Sequence, residues 1–352
     1  MCNPLLDIYA PVDPSLLTKY DLKANDAILA EEKHMPLYSE MQRDYPVKYT
    51  VGGAGQNTLR GAQRFLPADA TIFMGSVGAD DYATTLKAKA TEDGLRTEYY
   101  IDAEKPTGIC ALMITGNDRS MVTDLSAANS FKIDHIQKPE IKALIENAKY
   151  FYITGYFITV SPDTILSIAK HAHETGKPFM MNISAPFVPM FYKDTFEQIM
   201  PYIDGLFGNE SEAEAFAKTF GWDKEGVDPT STGDVATRIA NMFKLNPSRP
   251  RMVVITNSSN PAVVAFGPSA HSTDEWYPVP AVKVEEIVDT NGAGDAFCAG
   301  FLSQLLLSHD SKRCVRAGHY SAGLVLRQLS SHYPEGDLAA MLEEYLAATY
   351  SE

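Results

Sequence analysis

Several things are scarce in this 352-residue chain, and each scarcity removes a class of protein. Basic charge is in deficit: 30 Lys and Arg against 45 Asp and Glu leave a formal net charge of -15. Nucleic acids and anionic membranes are gripped through clustered cations, so neither is expected as a partner. Cysteine is rare. Cys2, Cys110, Cys298 and Cys314 are far apart and form no Cys-x-x-Cys pair. Buried reduced thiols in an intracellular, cytoplasmic protein are therefore expected, not a disulfide framework. No set of His, Cys and Asp stands at zinc spacing. The longest apolar run, Tyr150 to Val160, falls short of the roughly 20 residues that span a membrane. Met1 is followed by Cys2, Asn3 and Pro4, not by a basic and then an apolar stretch, so no signal peptide is read. No Gly-Lys-Ser/Thr occurs, so any ATP site works without a Walker lysine, and no Gly-x-Ser-x-Gly elbow marks a serine hydrolase. Internal repeats and low-complexity stretches are absent as well.

What is present supports one large α/β unit with a smaller partner. Hydrophobic residues make up 45% of the chain, ample for a core. From residue 139 onward strands and helices alternate. Strands are expected at 150–153, 178–183, 205–208 and 252–256, and helices near 162–175, 195–200, 210–220 and 234–243. That order implies a parallel sheet covered on both faces, with its ligand-binding loops at the C-terminal strand ends. Residues 11–51 read differently, with single tyrosines among polar residues and a helix over Glu32 to Arg43. Short strands at 97–102, 108–115 and 120–125, separated by polar turns such as Gly116-Asn117-Asp118, suggest a β-rich insert. The expected division is a large domain of residues 1–10, 52–103 and 127–352, and a small α+β lid of residues 11–51 and 104–126.

One stretch organises the chemistry: Asp289-Thr290-Asn291-Gly292-Ala293-Gly294-Asp295-Ala296-Phe297. It is expected to follow a strand over Ala281 to Val288 and to open a helix whose apolar stripe is Phe297, Phe301 and Leu305. Glycines let a ligand approach the backbone closely. The first amides of a helix lack internal partners and carry the positive end of its dipole, so an anion, usually phosphate, docks there. A carboxylate in that position repels phosphate. Asp295 makes chemical sense if it accepts a proton from a hydroxyl while the amides hold the migrating phosphoryl group. The plainer alternative is an acid that only complements the dipole.

Other candidates carry the same two-sided reading. Asp7 is either a cap or a hydroxyl acceptor at a strand end. Asn57 follows Gly52, Gly53 and Gly55 into a helix, and either stabilises the helix start or bonds a ligand at the glycines. Arg119 is a surface charge or, in a lid, a phosphate clamp. Asn209-x-x-Glu212 is a capping box or a pair of oxygens for magnesium. Tyr156-Phe157, Phe187 and Thr256-Asn257 lie on loops at strand ends, where aromatics suit a flat ring or ordinary packing. His319 lies on a late helix.

The stretch at 289–297 resembles the C-terminal signature of the ribokinase-like family of sugar and nucleoside kinases. Further matches follow in order: Asn-Pro-Leu-Leu-Asp at 3–7, Gly-Gly with Gln-Asn at 52–57 and Pro-Thr-Gly at 106–108. Then come Asn-Asp-Arg-Ser at 117–120, Thr-Val-Ser-Pro at 159–162, Ser-Ala-Pro-Phe at 184–187, Phe-Gly-Asn-Glu-Ser-Glu at 207–212 and Arg-Ala-Gly-His-Tyr at 316–320. Over essentially its full length the chain resembles the adenosine kinases of that family. The resemblance implies a three-layer α/β/α domain with a mostly parallel sheet and a small lid. It also implies transfer of the γ-phosphoryl group of ATP, with magnesium, to the 5′-hydroxyl of adenosine in purine salvage. A kinase for another nucleoside or for a sugar such as ribose, and a catalytically silent nucleoside-binding protein, are the alternatives.

Carried over by position, Asp295 would be the general base, and Gly292, Ala293 and Gly294 the anion hole. Asp7, Gly52, Gly53 and Asn57 would hold the ribose. Asn3, Phe157 and Phe187 would surround the purine, with Leu29 and Leu125 closing over it. Arg119 would reach the phosphates. Asn209 and Glu212 would organise magnesium, and Thr256, Asn291 and His319 would line the ATP side. A lid that covers substrate instead of pairing implies a monomer. Three positions depart from the family: Cys2 stands where relatives often have Gly, Ala54-Gly55 where many have Ser-Thr, and Ala27 where they place Gln.

Overall fold

Apolar residues alternate with a period of two along the later strands, yet both sets are buried. Ile153, Met181, Leu206, Val253 and Ile255 join one core cluster; their chain neighbours Tyr152, Met180, Phe207, Met252 and Val254 join another. Successive side chains of a strand point to opposite faces, so this sheet is covered on both sides. The computed structural model describes residues 1–116, 118–267 and 275–350.

A five-stranded sheet contains β1 (Leu5–Pro11), β2 (Ala27–Leu29), β3 (Lys48–Gly52), β4 (Ile109–Thr115) and β5 (Asp118–Asp124), in the order β2-β5-β4-β1-β3. A six-stranded sheet follows chain order: β6 (Phe151–Thr154), β7 (Phe179–Asn182), β8 (Gly205–Asn209), β9 (Arg251–Asn257), β10 (Asn260–Gly267) and β11 (Glu275–Tyr277). β6 to β9 pair in parallel, and β10 and β11 add antiparallel. One face packs on helices that include Pro162–Glu174, α2 (Glu210–Thr219) and Thr232–Ala240. The other packs on α3 (Ala293–Leu306) and α4 (Ser311–Leu326), through Phe297, Phe301, Leu302, Cys314 and Val315. α1 (Ala54–Gln63) lies against α3.

The expected boundary at residue 10 shifts. Met1 and Cys2 bond to the large unit: the Met1 ammonium donates to Tyr152 O, Thr154 N to Met1 O and Cys2 N to Met74 O. From Leu5 the chain is already inside the smaller sheet, between β3 and β4. Leu6, Ile8 and Ala10 pack under the helices Pro14–Lys19 and Met35–Asp44, so the intervening Leu5, Asp7 and Tyr9 lie on the opposite face. Periodicity shows that such a strand exists but not which sheet takes it.

A second expectation fails at Ala281 to Val288, which forms no strand. A 3₁₀ turn occupies Val284–Glu286, and Val288 and Asp289 bond through their amides only to Leu326 O. Val284 stays 82% exposed. The alternation of Val and Lys is real, but no neighbouring strand among the described residues receives it. Asn117, part of the expected turn and of one matched motif, lies outside the described residues.

Candidate active site

Two turns built on glycine bring the site together. At the first, Gly53 has φ 88° and caps α1. A Cβ at Gly52 would lie 2.1 Å from Asp7 Oδ1, and one at Gly53 would lie 2.2 Å from Asn3 O. The turn is thus pressed against both residues that resemblance places beside the nucleoside. At the second, Gly292 has φ 76° and caps α3; Ala293 N donates back to Thr290 O at 3.3 Å, and the next two amides have no partner within the helix. A Cβ on Gly294 would meet no protein atom within 4 Å. Open space lies in front of that backbone.

Asp295 stands in the first turn of α3 and accepts a hydrogen bond from Asn57 Nδ2 at 3.3 Å. This joins the two turns. Burial pushes the Asp295 carboxyl up to about 7; the Asn57 bond and Arg60 oppose the rise, while Glu212 and Asp7 add to it. Burial also raises Asp7 to about 7, against Arg60. Glu212, buried, is raised by the same cause to about 7. Asp7 and Asp295 both keep a window to solvent, so a ligand can reach them. Three acids with little cationic compensation face one region, a poor arrangement for stability and a good one for hydroxyl donors and a hydrated cation.

Asn57 Oδ1 and Asn3 Oδ1 are buried acceptors without a partner. Asn3 Nδ2 donates to Asn129 Oδ1 at 2.9 Å and to Ala128 O at 3.4 Å, which turns its carbonyl oxygen away from them. Orphaned acceptors of this kind cost stability and await a donor.

Asn209 and Glu212 form a true capping box. Glu212 N donates to Asn209 Oδ1 at 2.9 Å, and Asn209 N donates to Glu212 Oε2 at 3.1 Å. Asn209 Nδ2 also donates to Glu212 Oε1 at 3.0 Å. Thr256 pairs with Asn209 across β8 and β9, so it belongs to the same strand ends. Asn291 is held by its amide to Asp289 Oδ1.

Five expected residues stand differently. Phe157 is 0% exposed and packs edge-on to Phe131 at 5.2 Å, so it belongs to the core. The accessible aromatic wall is Phe187, 41% exposed, with Tyr156 at 6.2 Å. Neighbours in a tight 3₁₀ turn cannot be told apart by sequence. Arg119 directs Nη1 to Gly116 O and Asp118 O of its own hairpin and touches no residue of the turns. His319 lies against Phe297 at 5.3 Å and burial lowers it to about 4, so it packs as a neutral ring. Leu29 is exposed at 62% on edge strand β2, and Leu125 is half-buried just after β5. Sequence reasoning missed Asn129, Arg60 and Ser331, whose roles depend on contacts across more than a hundred residues.

A pfkB family carbohydrate kinase model matches residues 15–336. The chain belongs to the pfkB family. Among its relatives in that family is adenosine kinase 2 of Arabidopsis thaliana, 45% identical over 95% of both chains. The crystal structure of Anopheles gambiae adenosine kinase in complex with P1,P4-di(adenosine-5) tetraphosphate is similar with a TM-score of 0.84 and 44% identity, covering 95% of this chain and 97% of that one. Adenosine kinase from Schistosoma mansoni in complex with adenosine and AMP is similar with a TM-score of 0.83 and 34% identity, covering 95% and 96%. The pfkB assignment accounts for the three-layer architecture and for the signature at the head of α3.

Proposed function

We propose that this chain transfers the γ-phosphoryl group of ATP to the 5′-hydroxyl of adenosine, giving AMP and ADP. The observation that carries the reading is the join of the two turns: Asp295, in the first turn of α3, is bound to Asn57, in the first turn of the helix whose entry at Gly52 is pressed against Asp7. The ribose 2′- and 3′-hydroxyls donate to Asp7, a bidentate acceptor for two donors, and Asn57 Oδ1 takes a further donor. The purine lies against Phe187 and Tyr156, with Asn3 at its edge and Leu29 and Leu125 on the side of the smaller sheet. The 5′-oxygen then points at Asp295. Its bond to the γ-phosphorus forms as the bond to the β-γ bridging oxygen breaks; its proton passes to Asp295, and the charge on the moving group meets the amides of Gly292, Ala293 and Gly294. A carboxyl near 7 is a stronger base than an ordinary Asp, and positioning supplies most of the rate in a loose transition state.

Magnesium fits this donor set through water. Glu212 is a buried acid without a cationic partner, and no group of three His, Cys, Asp or Glu side chains clusters for a metal among the described residues. Magnesium keeps several waters and borrows ligands from phosphates, so Glu212 oriented by Asn209 would hold its hydration shell, and the ion would neutralise phosphate charge. Thr256 and Asn291 lie on the ATP side, and Arg119 reaches the phosphates only after the smaller sheet moves toward α3. In this reading β1 to β5 and their helices act as a lid over the nucleoside, in a monomer of the cytoplasm. No helix among the described residues is long and apolar enough to cross a membrane.

A coupled ADP-release assay across adenosine, deoxyadenosine, inosine, ribose and fructose tests the reading. Adenosine is expected to be the best substrate. A higher kcat/KM for ribose or fructose, or no ADP release with any nucleoside, would overturn it.

A further inference from the structure

α1 bears two polar side chains one turn apart that both work toward α3. Asn57 reaches Asp295 directly. Arg60 reaches the start of α3 through an intermediary: Nη2 donates to Ser331 O at 2.6 Å and to Ser331 Oγ at 2.9 Å. Ser331 in turn presses on the cap of α3, since a Cβ at Gly292 would lie 2.7 Å from Ser331 Cβ. The neighbouring Ser330 amide donates to Asp289 Oδ2 at 3.0 Å, while Asp289 Oδ1 accepts from Asn291 N at 2.9 Å. The turn that presents the anion-binding amides is therefore clamped from below by residues 330–331, and Arg60 holds that clamp against α1.

Arg60 is an expensive choice for simple packing. The residue is 4% exposed, and its Nε has no partner. Among the described residues its carboxylate partner is Asp93 at 3.0 Å, which lies toward the surface with a side chain 30% exposed. Burying a guanidinium that is left partly unsatisfied is unfavourable, and an apolar residue would fill the space at lower cost. Among the described residues it is also the cation that opposes proton uptake by both Asp7 and Asp295.

We propose that Arg60 is a positioning residue for phosphoryl transfer, fixing the Asp289–Gly292 turn in register with α1 through Ser331. The inference rests on the kinase reading of this same site. Arg60 touches neither substrate in that reading. It sets where the amides of 292–294 stand relative to the 5′-oxygen, and a displacement of about 1 Å in such a site costs about a hundredfold in rate.

The experiment compares Arg60→Gln, Arg60→Lys and Asp93→Asn by steady-state kinetics. Adenosine affinity is measured by equilibrium titration without ATP, and rates are expressed per binding-competent site, so unfolded protein drops out. Arg60→Gln is expected to lower kcat about a hundredfold while the adenosine Kd changes less than about threefold. Arg60→Lys is expected to recover about tenfold of that loss, because an ammonium still donates to Ser331. Asp93→Asn, which removes only the outer partner, is expected to keep kcat within about threefold. The proposal is overturned by an Arg60→Gln kcat within about threefold of the parent, by no advantage of Lys over Gln, or by an equal loss in Asp93→Asn. If Arg60→Gln does not fold, Arg60→Lys decides: a kcat lowered about tenfold at unchanged Kd supports the role, and both unchanged overturn it. A parent that releases no ADP with adenosine would instead sink the underlying kinase reading, before any variant is compared.

Discussion

The turns at 52–57 and 289–295 both feed a helix and both carry glycines, but the glycines answer to different neighbours. In the first, Gly52 is crowded by Asp7, Gly53 by Asn3 O and Gly55 by Cys2 Cβ at 2.5 Å. The protein itself forbids side chains there. In the second, Gly292 is needed for its φ of 76° and its contact with Ser331, while a Cβ at Gly294 would meet no atom within 4 Å beyond its chain neighbours and its own helix backbone. A glycine in a helical first turn with open space before it costs roughly 0.5–1 kcal/mol relative to Ala. The arrangement is intelligible if the space is reserved for something that is not protein. The comparison separates glycines that build the site from the one that leaves room in it.

The most severe way to test the second turn is Asp295→Asn. It is expected to lower kcat on the order of a thousandfold while adenosine still binds, because only the proton acceptor is lost. With Asp295 near 7, the parent's kcat/KM should fall as pH drops through that value, since the protonated carboxyl no longer accepts. Near-normal turnover in Asp295→Asn, measured by ADP release, would remove this residue from its role.

The sharpest contrast comes from two glycine-to-alanine changes. Gly294→Ala is expected to keep or slightly raise thermal stability while turnover falls about a hundredfold, since the added methyl displaces phosphate and spoils an amide of the anion hole. Gly53→Ala is expected to lose about 2–3 kcal/mol of stability, because its backbone is left-handed and its space is occupied by Asn3 O. Thermal melts read beside kinetics decide the matter: equal stability losses in both variants would erase the distinction.

The mildest test concerns Asp7, against which the first turn is built. Hydrogen bonds to a charged acceptor contribute about 1.5–3 kcal/mol, so Asp7→Ala should weaken ribonucleosides tenfold or more. Analogues lacking the 2′-hydroxyl should lose less. Equal losses in KM for adenosine and 2′-deoxyadenosine would count against the diol contact.

Two of the departures from the family pattern named above meet in three dimensions. Cys2 stands where relatives often have glycine, and Gly55 stands where many have threonine. Gly55 and Cys2 share one small space, with Thr154 Cγ2 also 3.2 Å from a Cβ at 55. A larger residue on one side requires a smaller one on the other. Neither change is readable alone, since the two positions are distant along the chain.

Much of the architecture was legible. The helices Pro162–Glu174 and Glu210–Thr219 fall where their patterns place them, and the parallel strands from residue 151 agree with expectation to within a residue or two. These segments carry their own signal: apolar runs of strand length, helical stripes, a cap such as Asn209. Less legible were features that exist only between segments. The alternation at 281–288 announced a strand, but pairing needs a partner edge and none is offered among the described residues. Tyr156 and Phe157 are equally aromatic, and the turn that carries them decided which one stays accessible. Arg60 drew no reading at all, because its partner Ser331 lies 271 positions away.

By itself, the chain determined that a parallel sheet would be sheathed in helices, that Gly292 would end one segment and free the amides of the next, and that an acid would stand among them. Local sterics and helix chemistry suffice for that, since each acts within a few residues. Tertiary structure alone decided that β1 would turn Asp7 toward Gly52, that Asn57 would meet Asp295, and that Arg60 would brace Ser331. Those contacts join residues up to 271 positions apart, and only the packing of two sheets and two helices, driven by burial of their apolar faces, fixes distances on that scale.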